Sequence, residues 1–415
     1  MQFIRVFSEI EKRNFCKLFQ HTHSKYTNHL SLMAVVMGIT NHPNKHPGIS
    51  YFYHSLMNEH HEKYINLCFE LARKATGSVS PNPLVGAVIV KDGRIVSQGF
   101  HSKYGQPHAE AEAINNAKTD LKGAAIYCNL EPCCHTNKQT PPCVPRIIES
   151  GISKVIISNT DPNPDVAGKG IQQLKDAGIE VISGVLEDEG RELNKFFFKY
   201  IQTGLPYVTV KIAQSIDAMI TAHEGEQTWL TGEESRKYVH ALRASYDAVL
   251  VGANTIKVDD PHLTVRLIDG RNPKRIIIDG NLSSPSESVI FNDSFKTLTT
   301  VFTKKNAGKD KISALKGKGV EIIELNETAN GQLDLNEILK ILGALKVTSI
   351  LVEGGAKIFK QFTSNNLFDE LVILKAPILL KDGLSSQVDM ENLNLQLIST
   401  EKLGKDAKLV YKRLN

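Results

Sequence analysis

One short constellation restricts this 415-residue chain more than any other: His108-Ala109-Glu110, then Pro132-Cys133, then Cys143. An imidazole and two thiols suit zinc, and three protein ligands leave the fourth tetrahedral position to water, as catalytic rather than structural sites do. The Glu110 carboxylate, two residues from the first ligand, is the proton carrier that zinc hydrolysis needs. H-x-E…P-C-x-x-C is the pattern of zinc deaminases acting on nucleobases. Here its second half is stretched to C-x9-C.

The surrounding residues predict how such a site is assembled. Ala109, Ala111, Ala113 and Ile114 suit the first turn of a buried helix, which places His108 and Glu110 at its start, where side chains diverge. Pro132 and Pro141-Pro142 predict stiff turns that aim the sulfurs, one of them from a second helix terminus. Cys128, Cys133, Cys134 and Cys143 lie within sixteen residues, with His135 among them. A purely structural site would take Cys134 or His135 as its fourth ligand.

Composition narrows the class. The length predicts two domains with an appendage. No apolar run approaches the eighteen residues of a membrane span; the longest candidate, Leu32 to Ile39, is far too short. Six cysteines, mostly clustered, fit a reducing cytoplasm and metal binding better than a disulfide framework. The net charge of +4 sits within residues 1–56, where Arg5, Lys12, Arg13, Lys17, Lys25 and Lys45 face only Glu9 and Glu11. The neutral remainder argues against a nucleic-acid partner, because phosphate neutralisation supplies most of that affinity.

Residues 1–56 read as an N-terminal extension with Met57 as the working start, in preference to an amphipathic targeting presequence, since Glu9 and Glu11 oppose the latter. Tyr64, Leu67, Cys68, Leu71 and Ala72 then predict a helix ending near Gly77. Ser80-Pro81-Asn82-Pro83 leads to a strand Val85 to Val90, a Lys91-Asp92-Gly93 turn and a strand Arg94 to Phe100. The His108 helix and strands Ala125 to Leu130 and Lys154 to Ser158 follow. This alternation predicts an α/β sandwich.

Ser80-Pro81-Asn82-Pro83-x-Val85-Gly86-Ala87, Pro107-His108-Ala109-Glu110, Leu130-Glu131-Pro132-Cys133-x-His135, Thr140-Pro141-Pro142-Cys143 and Asp161-Pro162-Asn163-Pro164 are present together. In these motifs the chain resembles the bifunctional riboflavin-biosynthesis deaminase/reductase family, from about Met57 to the C-terminus. The resemblance implies a cytidine-deaminase-like α/β/α sandwich over 57–203, with His108, Cys133 and Cys143 as zinc ligands and Glu110 as proton donor. It also implies that Asn82 and His135 face substrate, where their bland alternatives are a turn residue and a backbone hydrogen bond. Family members usually have one residue fewer between the ligand cysteines, with a Gly where this chain reads Thr136-Asn137-Lys138-Gln139. Cys134 therefore stands at the usual distance from Cys143. We assign Cys133 because Glu131-Pro132 holds it in register with the preceding strand, and expect the extra residue to bulge in the loop.

Leu193 to Tyr200 reads as a Phe-rich helix closing the first domain, and Gly204-Leu205-Pro206 as the junction to a domain spanning 204–415. Tyr207 to Ala213, Ala248 to Gly252, Arg275 to Asp279, Thr299 to Phe302, Val320 to Ile323 and Thr348 to Val352 read as strands. With a helix over Glu233 to Ala244, they predict a mostly parallel α/β domain. No G-x-G-x-x-G follows a strand. Instead Glu353-Gly354-Gly355 opens a helix, an arrangement that can gather N–H groups around phosphate.

The resemblance extends over Lys211-x-Ala213-x-Ser215-x-Asp217, Trp229, Arg243, Gly252-x-x-Thr255, Asp259-Asp260-Pro261 and Leu263-Thr264-x-Arg266. It implies a dihydrofolate-reductase-like fold binding NADPH along Ala213, Trp229, Thr255, Asp259, Gly355, Ala356, Lys357, Ile358, Phe359, Lys360 and Gln361. Substrate would meet Gln227, Arg243, Leu263, Arg266 and Glu353. The arginine forks match phosphate oxygens, while the bland alternative is a surface ion pair. The family's S-x-D-G-R reads Ser215-Ile216-Asp217-Ala218-Met219, losing a glycine and a basic residue near the expected cofactor.

The leading reading is a two-step enzyme of riboflavin biosynthesis. It hydrolyses the exocyclic amine of a phosphorylated pyrimidine and then reduces its ribosyl group, in the cytoplasm and as a dimer or tetramer by family likeness. Two rivals are a deaminase with a degenerate second domain and a zinc-stabilised RNA-binding or scaffold protein.

Overall fold

Alternation of side chains across a pleated sheet organises the first half of the molecule. Strands β1 (Gly86–Lys91), β2 (Arg94–Phe100), β3 (Ala125–Leu130), β4 (Lys154–Asn159) and β5 (Glu180–Ser183) lie in the order β2-β1-β3-β4-β5. The first three pair antiparallel and the last three parallel. Ala87, Ile89, Ile126, Cys128, Val155 and Ile157 point to one face, where the helices Ala109–Asn116 and Cys143–Glu149 pack. Val88, Val90, Tyr127 and Ile156 point to the other, against Tyr64, Ile65, Cys68 and Phe69. The result is the three-layer sandwich that the motif order predicts.

The computed structural model describes residues 47–414 apart from 136–139, with side chains from residue 60 onward. Most of the 1–56 extension, and the loop bulge expected at 136–139, lie outside the described residues. The first helix runs Pro47–Arg73, beginning ten residues before Met57 and stopping short of Gly77. The Lys91-Asp92-Gly93 turn is a two-residue hairpin, with Asp92 and Gly93 at φ 51° and 73° and Lys91 paired to Arg94. Positive φ at both central positions is why Asp-Gly is favoured there. The helix expected over Leu193 to Tyr200 is two helices, Glu187–Leu193 and Lys195–Thr203, broken at Asn194. The Asn194 side chain leaves helical duty to bond Leu84 N and Leu84 O at 2.8 and 3.0 Å.

The second half is a nine-stranded sheet. Its strands are β6 (Tyr207–Gln214), β8 (Ala248–Gly252), β9 (Lys274–Ile278), β10 (Thr299–Lys304), β11 (Glu321–Leu325), β12 (Ser349–Gly354), β13 (Glu370–Lys375), β15 (Leu395–Leu403) and β16 (Asp406–Arg413). The short β7 (Met219–Thr221) and β14 (Leu384–Ser385) pair separately. The order β11-β10-β9-β8-β12-β6-β13-β16-β15 is parallel through β13 and antiparallel at the last two strands. Val208, Val210, Ile212, Leu250, Ile350 and Val352 bury one face, and Val249, Val251, Ile277 and Val301 the other. Among the described residues no helix is long and apolar enough to cross a membrane.

Gly99 sets how closely the helix carrying Glu110 approaches the first sheet. A Cβ there would stand 2.5 Å from Ala113 N and 2.7 Å from Ala109 O. Phe100 N, next in the strand, donates to Glu112 at 2.5 Å and fixes the helix in the same place. Gly99→Ala is expected to lower unfolding free energy by about 1–3 kcal/mol through overpacking, read as a shifted midpoint in chemical denaturation.

Candidate active sites

Three chain segments converge on one point in the first half. His108 caps the helix Ala109–Asn116, Cys133 follows the end of β3, and Cys143 opens the helix Cys143–Glu149. Their donor atoms lie within 4.8 Å of one another. His108 Nδ1 is 3.4 Å from Cys133 Sγ and 3.5 Å from Cys143 Sγ. Zinc bonds of about 2.0–2.1 Å to nitrogen and about 2.3 Å to sulfur make the N···S edge of a tetrahedron roughly 3.5 Å long. The donor set therefore fits zinc in both chemistry and spacing. Cys134 turns aside, its thiol 4.0 Å from Asp165 O, outside the converging group.

Backbone bonds hold these ligands together. Cys143 N and Val144 N both donate to Cys133 O, at 3.0 and 3.2 Å, so one cysteine's carbonyl caps the helix that begins with the other. The buried Glu131 carboxylate takes N–H groups from Asp161, Gly168 and Ile171 at 3.2, 2.9 and 3.1 Å. It thereby ties the residue before Pro132 to the Asp161-Pro162-Asn163-Pro164 loop and the next helix. Thr140 Oγ1 lies 3.0 Å from His108 Nε2, a contact that holds the imidazole with Nδ1 toward the two sulfurs.

Over these donors lies a cavity of about 330 Å³, lined among others by Asn82, His101, Glu110, His135 and Phe197. Glu110 is buried in the first turn of its helix, as its position beside His108 predicts. His101 stacks edge-on against His108, ring centroids 5.4 Å apart. Burial pushes the His101 pKa down. The neutral ring donates from Nδ1 to Pro107 O at 3.0 Å and accepts from Asn82 Nδ2 at 3.1 Å, which sets the Asn82 amide. Among the described residues, His135 Nδ1 is buried in this cavity without a hydrogen-bond partner. Thr140 and His101 carry no signal by spacing alone.

In the second half the parallel neighbours β8 and β12 end side by side, each feeding a helix, Ala253–Asp259 and Ala356–Ser364. Thr255 stands against the glycine pair; a Cβ on Gly354 or Gly355 would lie 2.9 or 3.2 Å from its Oγ1. The Gly354-Gly355 peptide is cis. Gly355 caps the second helix, whose free N–H groups suit a cofactor phosphate. Along that helix Ala356, Ile358 and Phe359 are buried and Lys357 and Lys360 exposed, while Gln361 Nε2 donates to Gln332 Oε1 at 2.7 Å. The Ile358 and Phe359 side chains pack in the core.

Glu353 gathers cations here. Arg243 holds it bidentately at 2.6 and 2.9 Å, and Lys211 Nζ lies 3.3 Å away. Burial alone would raise the Glu353 pKa; Arg243, then Lys211, outweigh it and bring it to about 2. The Arg243 pair is therefore a buried one rather than a surface one. Arg266 is exposed and donates to Thr264 Oγ1 at 2.6 Å. Burial raises the Asp259 carboxyl pKa against the opposing charge of Lys211. Leu263 is buried at φ 52°, an uncommon conformation for a bulky residue. Ala213 ends toward the C-terminus of β6, whereas Gln227 and Trp229 are exposed, with Arg236 over the Trp229 ring at 5.6 Å.

An α/β sandwich with a two-thiol, one-imidazole pocket, joined to a dihydrofolate-reductase-like α/β domain, defines a zinc-hydrolytic deaminase fused to an NADPH-dependent reductase. Residues 58–159 match the cytidine and deoxycytidylate deaminase zinc-binding region, and 206–409 match the RibD C-terminal domain. The chain belongs to the RibD family of riboflavin biosynthesis proteins. It is 42% identical over 364 residues to the riboflavin biosynthesis protein RibD of Aquifex aeolicus, covering 86% of this chain and all of that one. The Acinetobacter baumannii RibD structure superposes with a TM-score of 0.78 at 34% identity, over 86% of this chain and 100% of that one. The Thermotoga maritima diaminohydroxyphosphoribosylaminopyrimidine deaminase/5-amino-6-(5-phosphoribosylamino)uracil reductase gives 0.77 at 36%, with the same coverage.

Two outcomes follow from this geometry. Ala218 sits at φ 66°. Ala218→Gly is expected to stabilise the protein by about 1 kcal/mol by relieving a left-handed alanine, measured as a higher denaturation midpoint. His240 is held to a pKa of about 4 by burial first, then by Arg243 and Arg266, against 6.5 when unfolded. Its neutral Nδ1 accepts Arg266 N at 2.8 Å. The unfolded chain takes up the proton first, so this contribution is full above pH 6.5 and lost as pH falls toward 4. Denaturation midpoints across that window should fall more steeply for the wild type than for His240→Gln.

Proposed function

We propose that the two halves catalyse successive steps on one phosphorylated pyrimidine, 2,5-diamino-6-ribosylamino-4(3H)-pyrimidinone 5′-phosphate. The observation that carries this reading is the approach of His108 Nδ1 to both Cys133 and Cys143 at tetrahedral spacing, beside the buried Glu110. His108, Cys133 and Cys143 hold zinc. When bound, the ion supplies Lewis acidity that brings a water's pKa to about 7. Glu110 takes a proton as the water oxygen bonds to the ring carbon and returns it to the exocyclic nitrogen. The C–N bond then breaks, ammonia leaves, and a ring carbonyl remains. Asn82 and His135 orient the pyrimidine, the former with its amide already fixed by His101.

The deaminated product is then reduced, with NADPH supplying hydride to the ribosyl carbon and the sugar opening to a ribitylamino chain. Ala213, Trp229, Thr255, Asp259 and the stretch from Gly355 to Gln361 hold the cofactor. Gln227, Arg243, Leu263, Arg266 and Glu353 form the substrate side. Because the Arg243 fork is filled by Glu353, Arg266 supplies the cation for the substrate phosphate and Arg243 shapes the pocket floor. The deaminase comprises residues 57–203 and the reductase 204–415. The enzyme works in the cytoplasm as a homo-oligomer without nucleic acid.

The test is ammonia release by the purified zinc-loaded enzyme. Glu110→Gln should lose at least about 100-fold in turnover while retaining zinc. Cys133→Ala should lose the metal, and Cys134→Ala should keep it. Ammonia release that persists in Glu110→Gln removes the proton-carrier assignment.

A further inference from the structure

The wall of the deaminase cavity is braced from the reductase half. Ser80 Oγ donates to Asp247 Oδ2 at 2.6 Å across 167 residues of sequence, and lies 3.3 Å from Thr348 Oγ1. We infer that Asp247 is a positioning residue for deamination, acting through Ser80 on the loop that presents Asn82 to the cavity over His108, Cys133 and Cys143. This rests on reading that cavity as the deaminase site.

The brace is stiff at its root. The Asp247 carboxylate is buried and accepts from Thr348 N and Thr348 Oγ1, both at 2.8 Å, and from Arg271 Nη2 at 3.0 Å. Asp247 N donates to Ser349 Oγ at 2.9 Å. The residue thus joins the beginnings of β8 and β12, adjacent strands in the centre of the large sheet. Gly77 makes a second, independent contact with the same patch: a Cβ there would lie 2.4 Å from Ala244 O and 2.9 Å from Arg271 Nε. Only a residue without a side chain lets the backbone come that close.

The loop transmits what happens at Ser80. Pro81 and Pro83 each fix φ, and Asn82 between them is held by Asn82 N to Val79 O at 2.9 Å and by His101. Pro81 and Asn82 line the 330 Å³ cavity on one side and, on the other, a cavity of about 710 Å³ between the halves. This part of the wall has open space on both sides, so the bond from Ser80 to Asp247 adds the anchor that the Val79 and His101 contacts lack on the side of the second half. Its loss lets Asn82 drift from a bound pyrimidine without disturbing the zinc ligands.

The test uses the full-length zinc-loaded enzyme and separate assays for ammonia release and for NADPH oxidation on the deaminated pyrimidine. Ser80→Ala should raise the deaminase KM about fivefold, the worth of one hydrogen bond, with kcat within about twofold and reductase kcat/KM unchanged. Ser80→Thr, which keeps the hydroxyl, should restore the KM. Asp247→Asn should raise it similarly, and adding Ser80→Ala to that variant should raise it no further. An unaltered KM in Ser80→Ala, or an equal fall in both activities, overturns the inference. Full ammonia release by Glu110→Gln would instead overturn the reading of the cavity beneath it.

Discussion

The meeting of one imidazole nitrogen with two sulfurs is the constraint around which the first half is arranged. None of the three donors is delivered by a flexible loop tip. One caps a helix, one opens a helix, and one lies three residues beyond a buried strand. The Cys133 carbonyl receives the first N–H groups of the Cys143 helix, so satisfying that helix terminus also fixes the spacing of the sulfurs. Glu131 performs the corresponding task on the far side, a buried carboxylate satisfied wholly by backbone N–H groups. Ligand spacing is thereby a by-product of ordinary hydrogen-bond satisfaction, which is costly to leave incomplete in a buried place.

The second half solves a different problem, close approach of two helix beginnings at the ends of a parallel strand pair. Gly252 admits Ile358, whose Cγ1 would lie 2.7 Å from a Cβ at that position, and the Gly354-Gly355 pair admits Thr255. Two helix beginnings are thus packed beside one another at the ends of adjacent strands. Around them the charges are committed in advance, with Arg243 and Lys211 on Glu353. Such pre-arranged pairs lose little on ordering when a ligand arrives.

Much of this was legible in the sequence where the physics is local. Short apolar runs identified β3 and β8 to the residue, and Asp-Gly identified the hairpin. The small residues after His108 identified a buried helix, and Glu131-Pro132 favoured Cys133 over its neighbour, which turns away. The readings that fell short depend on distant partners or on burial. The helix expected over Leu193 to Tyr200 breaks at Asn194, whose side chain is drawn to Leu84, far earlier in the chain. Strands β15 and β16 went unread because β15 exposes most of its residues and mixes polar with apolar ones. Neither Ser80 nor Asp247 carries a motif that names the other, since their bond exists only once two sheets have formed.

The junction between the halves has a consequence of its own. A Cβ on Gly343 would lie 2.0 Å from Gly204 O, and Tyr200 and Lys199 reach across to Gly343 O and Asp369. What reads in the sequence as a linker is therefore packed hard against the helix Leu335–Ala344. The tandem is a mortised joint, in which side chains of each half are seated in the other.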